Sequence, residues 1–247
     1  MRNQKLETIT LSRRPFREKD ILVTALAKHS GRLTLLARGA QKPGGALAGV
    51  SEPFVYARVM IARPKDISVL VSADIRESFT GLKADLPAIG AAYHIAALAD
   101  RASLQWEDSE RLFLNLLSCL YLLESGGDPD IVRRFFELRL CSWAGYSLNL
   151  THCPCGRPLG QAVYSLDAGY FVCEECAKGD ALTAFPQALF SYLLALEECQ
   201  ESGVRRLSFP SKALADLKRL METHLLIHMQ IKAEDPGLAE VFAKQDR

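Results

Sequence analysis

The sequence predicts an α+β protein in which a small five-stranded β-barrel precedes an all-α region carrying one inserted metal ribbon. Three observations predict it. Residues 6 to 77 fall into short runs rich in Val, Ile, Leu, Thr and aromatics, bounded by turn residues, as strands do. Beyond about Leu82 the apolar spacing changes to three and four residues, the period of helices. That pattern breaks once, between Thr151 and Cys176, where four of the chain's seven cysteines fall.

The strands come first. "LETITLSRR", "DILVTALAKHS", "GRLTLLARGA", "PFVYARVMIARP" and "DISVLVSADIRES" are strands one to five. "KHSGR" joins the second to the third as a hairpin, with Gly31 free to take positive φ. "GAQKPGGALAGVSEP" joins the third to the fourth and has the glycine-rich composition of a mobile connection. Five short strands with one long internal connection fit an OB-like barrel, which closes its edges and leaves a groove for single-stranded nucleic acid.

The helices follow. "LPAIGAAYHIAALADRAS", "SERLFLNLLSCLYLLES", "DPDIVRRFFELRLCSWAGY", "PQALFSYLLALEECQES" and "SKALADLKRLMETHLLIHMQI" repeat apolar residues at helical spacing. Ser109, Asp128 or Asp130, and Ser211 read as caps opening the second, third and last. Gly126 and Gly127 close the second and Gly145 the third. The expected domains are residues 1–80 for the barrel and 81–247 for the helical region, with the ribbon at about 151–178.

With 49% hydrophobic and 24% charged residues, the composition is that of a folded globular protein. The start, "MRNQKLETIT", lacks the apolar run of a secretory signal. Runs such as "LFLNLLSCLYLL" are too short and interrupted to cross a bilayer, so a cytoplasmic protein without a membrane partner is expected. The net charge of +1 conceals an asymmetry: residues 1–80 hold 14 Lys and Arg against 7 Asp and Glu, and residues 81–247 hold 16 against 22. A basic segment joined to an acidic one points to a polyanion partner for the first.

Within the basic segment, Arg13, Arg14, Arg17 and Lys19 surround the first turn. Lys28 and Arg32 flank the hairpin, and Arg38 and Lys42 lie at the end of strand three and in the loop beyond. Strand ends and loops are where an OB barrel meets its ligand, and each cation there can neutralise a phosphate. Arg13, Arg14, Lys28, Arg32, Arg38 and Lys42 are the candidate nucleic-acid-binding residues. Phe16, Phe54 and Tyr56 either offer stacking faces to bases or fill the barrel.

Cys173 and Cys176 form a C-x-x-C, a spacing at which two thiolates of one knuckle share a tetrahedral zinc. Cys155 is the third candidate ligand. The fourth is Cys153, which completes an all-cysteine set of Cys153, Cys155, Cys173 and Cys176, or His152, which restores an x-x spacing to Cys155. "AVYSLDAGYFV" between the pairs reads as a hairpin too small to bury a core, so one structural zinc ion would supply its folding free energy. A catalytic zinc keeps an open position and needs a base nearby, and neither is evident. His224 and His228 sit four apart on the last helix without the Glu of a metalloprotease, and no nucleophile elbow, phosphate loop or dinucleotide fingerprint occurs. The rival reading is a zinc-dependent hydrolase or deaminase acting on nucleobases.

The order of a basic barrel with "LLARGAQKPGG", then helices, then "CPCG" and "CEEC" ahead of further helices resembles the RecO family of bacterial recombination mediators over nearly the whole chain. The first pair departs from that family's zinc-bearing members, where C-x-x-C-G is usual and C-x-C-G stands here. The resemblance implies an N-terminal OB fold and a helical C-terminal domain with a zinc ribbon, and a nucleoid-associated protein that is not an enzyme. It also implies binding of single- and double-stranded DNA, annealing of complementary strands, and help in loading the RecA recombinase onto DNA coated by single-strand DNA-binding protein. RecR and the acidic C-terminal tail of single-strand DNA-binding protein are the implied partners.

Overall fold

Five strands close a barrel: β1 (Asn3–Phe16), β2 (Asp20–Ala27), β3 (Gly31–Ala37), β4 (Tyr56–Ala62) and β5 (Ser68–Glu77), in the order β1-β2-β3-β5-β4 with β4 returning to β1. The computed structural model describes residues 3–62, 67–104, 107–159, 163–177, 182–183, 185–186 and 188–230. The expected ends of strands four and five at Arg63, Pro64 and Asp66, and the end of the last helix at Ile231, lie outside them. Every strand pair is antiparallel except β3 and β5, which meet in parallel only at Leu35↔Ser68 and Leu36↔Val69. This is the OB-like barrel that the strand pattern predicts.

β1 makes closure possible because it serves two neighbours. Its first half pairs with β4 from Asn3 to Ile9, its second half with β2 from Thr8 to Phe16, and the register shifts between Thr10 and Ser12. Such a bulge bends a strand so that one chain can turn a barrel corner. Side chains at alternate positions fill the interior: Ile21, Val23, Ala25 and Ala27 from β2, Leu33, Leu35 and Ala37 from β3, and Ala57, Val59 and Ile61 from β4. The other faces of β1 and β2 are also buried, at Ile9, Leu11, Leu22 and Leu26.

Three helices complete this unit: α1 (Thr80–Ala84), α2 (Leu86–Ala102) and α3 (Glu110–Glu124). Phe54 packs edge-on against Tyr93 of α2 at 4.8 Å, and Tyr56 against Phe113 of α3 at 5.9 Å. The expected domain division near residue 80 follows the change of period; by packing, α1 to α3 group with the barrel in one compact unit, Met1–Gly126, and the second unit is Gly127–Glu234.

The second unit holds α4 (Pro129–Trp143), a three-stranded ribbon, then α5 (Ala188–Glu198), α6 (Glu201–Val204) and α7 (Ser211–Met229). The ribbon strands are β6 (Val163–Ser165), β7 (Tyr170–Val172) and β8 (Leu182–Thr183), with β6 central. β6 and β7 are the expected hairpin, turning at Gly169 with φ 73°. β8 carries no strand signal of its own in two residues.

Asp128 caps α4, accepting from the N–H groups of Asp130 at 2.9 Å and Ile131 at 3.1 Å. Two other expected caps do not act as such. Ser109 stands at the N-cap of α3, but its hydroxyl donates to the Ala27 carbonyl at 2.8 Å, and Asp108 accepts from the Glu110 N–H at 3.3 Å instead. Ser211 is already inside α7, which Pro210 precedes. The helix expected from Pro186 to Ser202 is two, because after the buried Leu196 the next buried apolar residue is Val204 and nothing pulls the chain on.

Candidate nucleic-acid interface and metal centre

The barrel brings four of the six candidate cations to one end. Arg13 and Arg14 pair in register with Val23 and Leu22, near the start of β2, and β3 ends at Ala37 opposite Ile21. Arg38 therefore emerges beside the β1–β2 turn, which carries Arg17 and Lys19. The β3–β4 connection is fastened to that turn. The Gly39 N–H donates to the Asp20 carboxylate at 2.8 Å, and the Gln41 N–H donates to the Lys19 carbonyl at 3.1 Å. Gln41 Nε2 donates to the carbonyls of Asp20 at 2.6 Å and Arg17 at 3.3 Å.

The connection then folds through three successive turns, Lys42 N–H to Gly39, Gly45 to Lys42 and Ala48 to Gly45. A glycine-rich composition suggested motion, but here glycine permits packing. A Cβ at Gly45 would stand 2.6 Å from the Gly39 carbonyl oxygen. Lys42 is thereby held at the same end as Arg38. Arg14, Arg38 and Lys42 are exposed, and Arg13 pairs with Glu52 at 2.5 Å.

Lys28 and Arg32 lie elsewhere. They sit at the far end of β2, eight residues or about 25 Å away along the strand. Their charges face acidic neighbours: Lys28 Nζ meets Glu110 at 3.0 Å, and Arg32 Nε meets Asp100 at 2.5 Å. The Glu110 carboxylate raises the Lys28 ammonium above its ordinary value. The Arg32 N–H also donates to the Leu104 carbonyl at 3.1 Å. These two residues hold α2 and α3 against the β2–β3 turn, so the six candidates do not share one face. Of the three aromatics, Phe54 and Tyr56 pack within the unit, and Phe16 stands at the cationic end with the Arg17 guanidinium 5.1 Å from its ring centre.

The metal candidates converge fully. The Sγ atoms of Cys153, Cys155, Cys173 and Cys176 all lie within 4.8 Å of one another, and those of Cys155 and Cys173 are 3.8 Å apart. Four sulfurs at the zinc–thiolate distance of about 2.3 Å form a tetrahedron with edges of about 3.8 Å. The donor group contains Cys153 and not the exposed His152. Gly156 N–H donates to the Cys153 carbonyl and Cys153 N–H to the Arg157 carbonyl, both at 2.8 Å, which turns the short C-x-C so that both sulfurs face inward.

Backbone amides of Cys173 and Cys155 aimed at its sulfur lower the Cys153 thiol to about 6. Hydrogen bonds to the thiols of Cys155, Cys173 and Cys153 push Cys176 up to about 12. Four sulfurs held this close are a donor set of the kind a tetrahedral metal ion takes.

Two family models cover the chain: "Recombination protein O N terminal" matches residues 1–79 and "Recombination protein O C terminal" matches residues 83–234. The chain belongs to the RecO family. Among its relatives, the DNA repair protein RecO of Roseiflexus sp. (strain RS-1) is 33% identical over 90% of this chain and 81% of its own length. That of Desulforamulus reducens is 26% identical over 94% of this chain and 92% of its own, and that of Bacillus subtilis 29% identical over 71% and 69%. Among the described residues no helix is long and apolar enough to cross a membrane.

The histidine pair singled out in the sequence of this RecO-family chain is held in backbone and side-chain hydrogen bonds. His224 Nε2 meets the Tyr146 carbonyl at 2.7 Å and Nδ1 meets the Tyr164 hydroxyl at 2.9 Å, while His228 Nε2 meets the Gly169 carbonyl at 2.7 Å. Both histidines tie α7 to the ribbon region. On α4, Arg134 is buried beside Glu137 at 3.1 Å, Arg133 is 3.6 Å from Asp130, and Arg139 lies over the Phe135 ring at 4.2 Å while pairing with Glu201 at 2.9 Å.

Proposed function

We propose that this chain acts in DNA repair and recombination as a mediator that works by binding. Its substrate is DNA, single- or double-stranded, held by the end of the barrel that carries Arg13, Arg14, Arg38 and Lys42. The observation that carries this reading is the convergence of those cations, with Arg17 and Lys19, through a loop pinned to the β1–β2 turn. Each such charge neutralises a phosphate and releases counterions. A surface of this kind also lowers the repulsion between two strands, which is what annealing requires.

RecR, single-strand DNA-binding protein and RecA complete the proposal: the chain would help RecA load where single-strand DNA-binding protein coats the strand.

The four cysteines would hold one zinc ion that fixes the ribbon. All four ligands come from the chain, so no coordination position is left for a reacting water. Glu174 and Glu175 both lie between Cys173 and Cys176, and Glu175 pairs with Arg157 at 2.5 Å. A coordination shell filled by four thiolates leaves the hydrolase and deaminase reading without a site for its water, and non-catalytic binding is preferred.

The test is fluorescence anisotropy of labelled single-stranded DNA across a salt series. Affinity falls steeply with salt, and Arg38→Glu with Lys42→Glu reduces the slope of log K against log salt by about 1.4 or more. A flat salt dependence in the unaltered protein overturns DNA binding through phosphates. Unchanged affinity in the double variant removes these two residues from the site.

A further inference from the structure

We infer that a pocket beside the cationic end receives one unpaired base of a bound single strand, so that the site reads strandedness as well as charge. The inference rests on the DNA-binding reading above and adds to it what part of the DNA enters the protein. The pocket measures about 340 Å³, at the small end of ligand sites, which run from about 300 to 1,000 Å³. A single base fits within that volume.

Its chemistry sorts the parts of a nucleotide. Pro15, Ala48 and the edges of the buried Ile21 and Ala40 supply an apolar patch for the flat face of a base, set among the polar groups of Arg13, Arg14, Gln41 and Glu52. Glu52 sits at its lip beside Arg13, and its carboxylate repels phosphate from the interior. The Arg13 guanidinium, held in place by that carboxylate, is a planar cation of the kind that stacks on bases. Gln41 borders the pocket with its Nε2 already donating to two carbonyls, which leaves its amide oxygen as an acceptor for a base edge.

Arg14 lines the pocket and is exposed, as are Arg38 and Lys42 at the same end of the barrel. The backbone would run over those cations while one base turns inward. Duplex DNA, whose bases are paired and stacked, keeps only the outer contacts.

The experiment compares a labelled oligothymidylate with an abasic strand of equal length and charge, by anisotropy at one salt concentration and across a salt series. The unaltered protein is expected to bind the base-bearing strand about tenfold more tightly, within the range one stacked base supplies. Ala48→Leu, which fills the pocket without altering charge, is expected to erase that difference, leaving abasic-strand and duplex affinity unchanged and circular dichroism native.

Equal affinity of the unaltered protein for the two strands, with a normal salt slope, overturns the base pocket and leaves the phosphate reading standing. Failure to bind either strand overturns both. Discrimination that persists in folded Ala48→Leu places the base elsewhere and sinks this pocket.

Discussion

His224 has one tautomer open to it. A carbonyl can only accept, so Nε2 must carry the proton donated to Tyr146, and Nδ1 is then the bare acceptor for the Tyr164 hydroxyl. A second proton on Nδ1 would turn the Tyr164 hydroxyl into the acceptor and place a positive charge inside a buried site. Burial accordingly lowers the His224 pKa to about 4, against about 6.5 in an unfolded chain. Between these values the unfolded state binds a proton that the folded state refuses, so stability falls as pH drops through this window and is unaffected above it. Urea unfolding at pH 7.5 and pH 5 is expected to show about 2 kcal/mol more loss in the unaltered protein than in His224→Gln. Equal losses in the two would mean that His224 is charged or solvated in the fold. The sequence spacing of His224 and His228 contained no hint that their partners would be a carbonyl 78 residues away and one 59 away.

At the scale of elements, the β2–β3 turn shows how much of a strand pattern is legible and where it stops. The hairpin, its register and the positive φ of Gly31 follow from "KHSGR", and the structure places Gly31 at φ +60°. What stands against the turn did not follow. A Cβ on Gly31 would collide with the Leu104 carbonyl oxygen, because the segment after α2 lies directly on the turn. The same approach brings Asp100 and Glu110 onto Arg32 and Lys28, partners 68 and 82 residues distant in sequence that local reading could not supply. Lys28 and Arg32 looked like ligand contacts since strand ends usually are; their acidic neighbours make them fasteners. Gly31→Ala combines an unfavourable φ with that collision and is expected to cost about 2 kcal/mol or more in denaturant unfolding. Its DNA affinity, in conditions where it is folded, should match that of the unaltered protein, since the cationic end is a full strand length away. A stable Gly31→Ala would show that the Leu104 and Glu107 carbonyls yield easily.

At the scale of the molecule, the change of hydrophobic period located the barrel and the helices, because each element must bury one face and its period records which. Compactness was not legible in the same way: α1 to α3 have the helical period of everything after them but bury their apolar faces in the unit that holds the barrel. The cysteine site was the most legible feature, since a tetrahedral ion accepts few spacings, and only the choice between His152 and Cys153 needed coordinates. Two units, each with its own buried core, imply that the proposed metal site and the proposed DNA contact are separable. The barrel interior of Ile21, Val23, Leu35 and Val59 owes nothing to the thiolates, whereas the ribbon is three short strands whose largest buried side chain is Tyr164. Stripping the metal with a chelator, or replacing Cys176 by Ser, is therefore expected to release one zinc per chain and to lower the thermal stability of the second unit, because metal binding is folding free energy for a module of this size. Single-strand affinity measured below that transition should change less than about twofold, as cations on the first unit set the salt-dependent term. An affinity that collapses with the zinc while circular dichroism keeps the barrel intact would move DNA contact onto the ribbon and overturn the separation argued here.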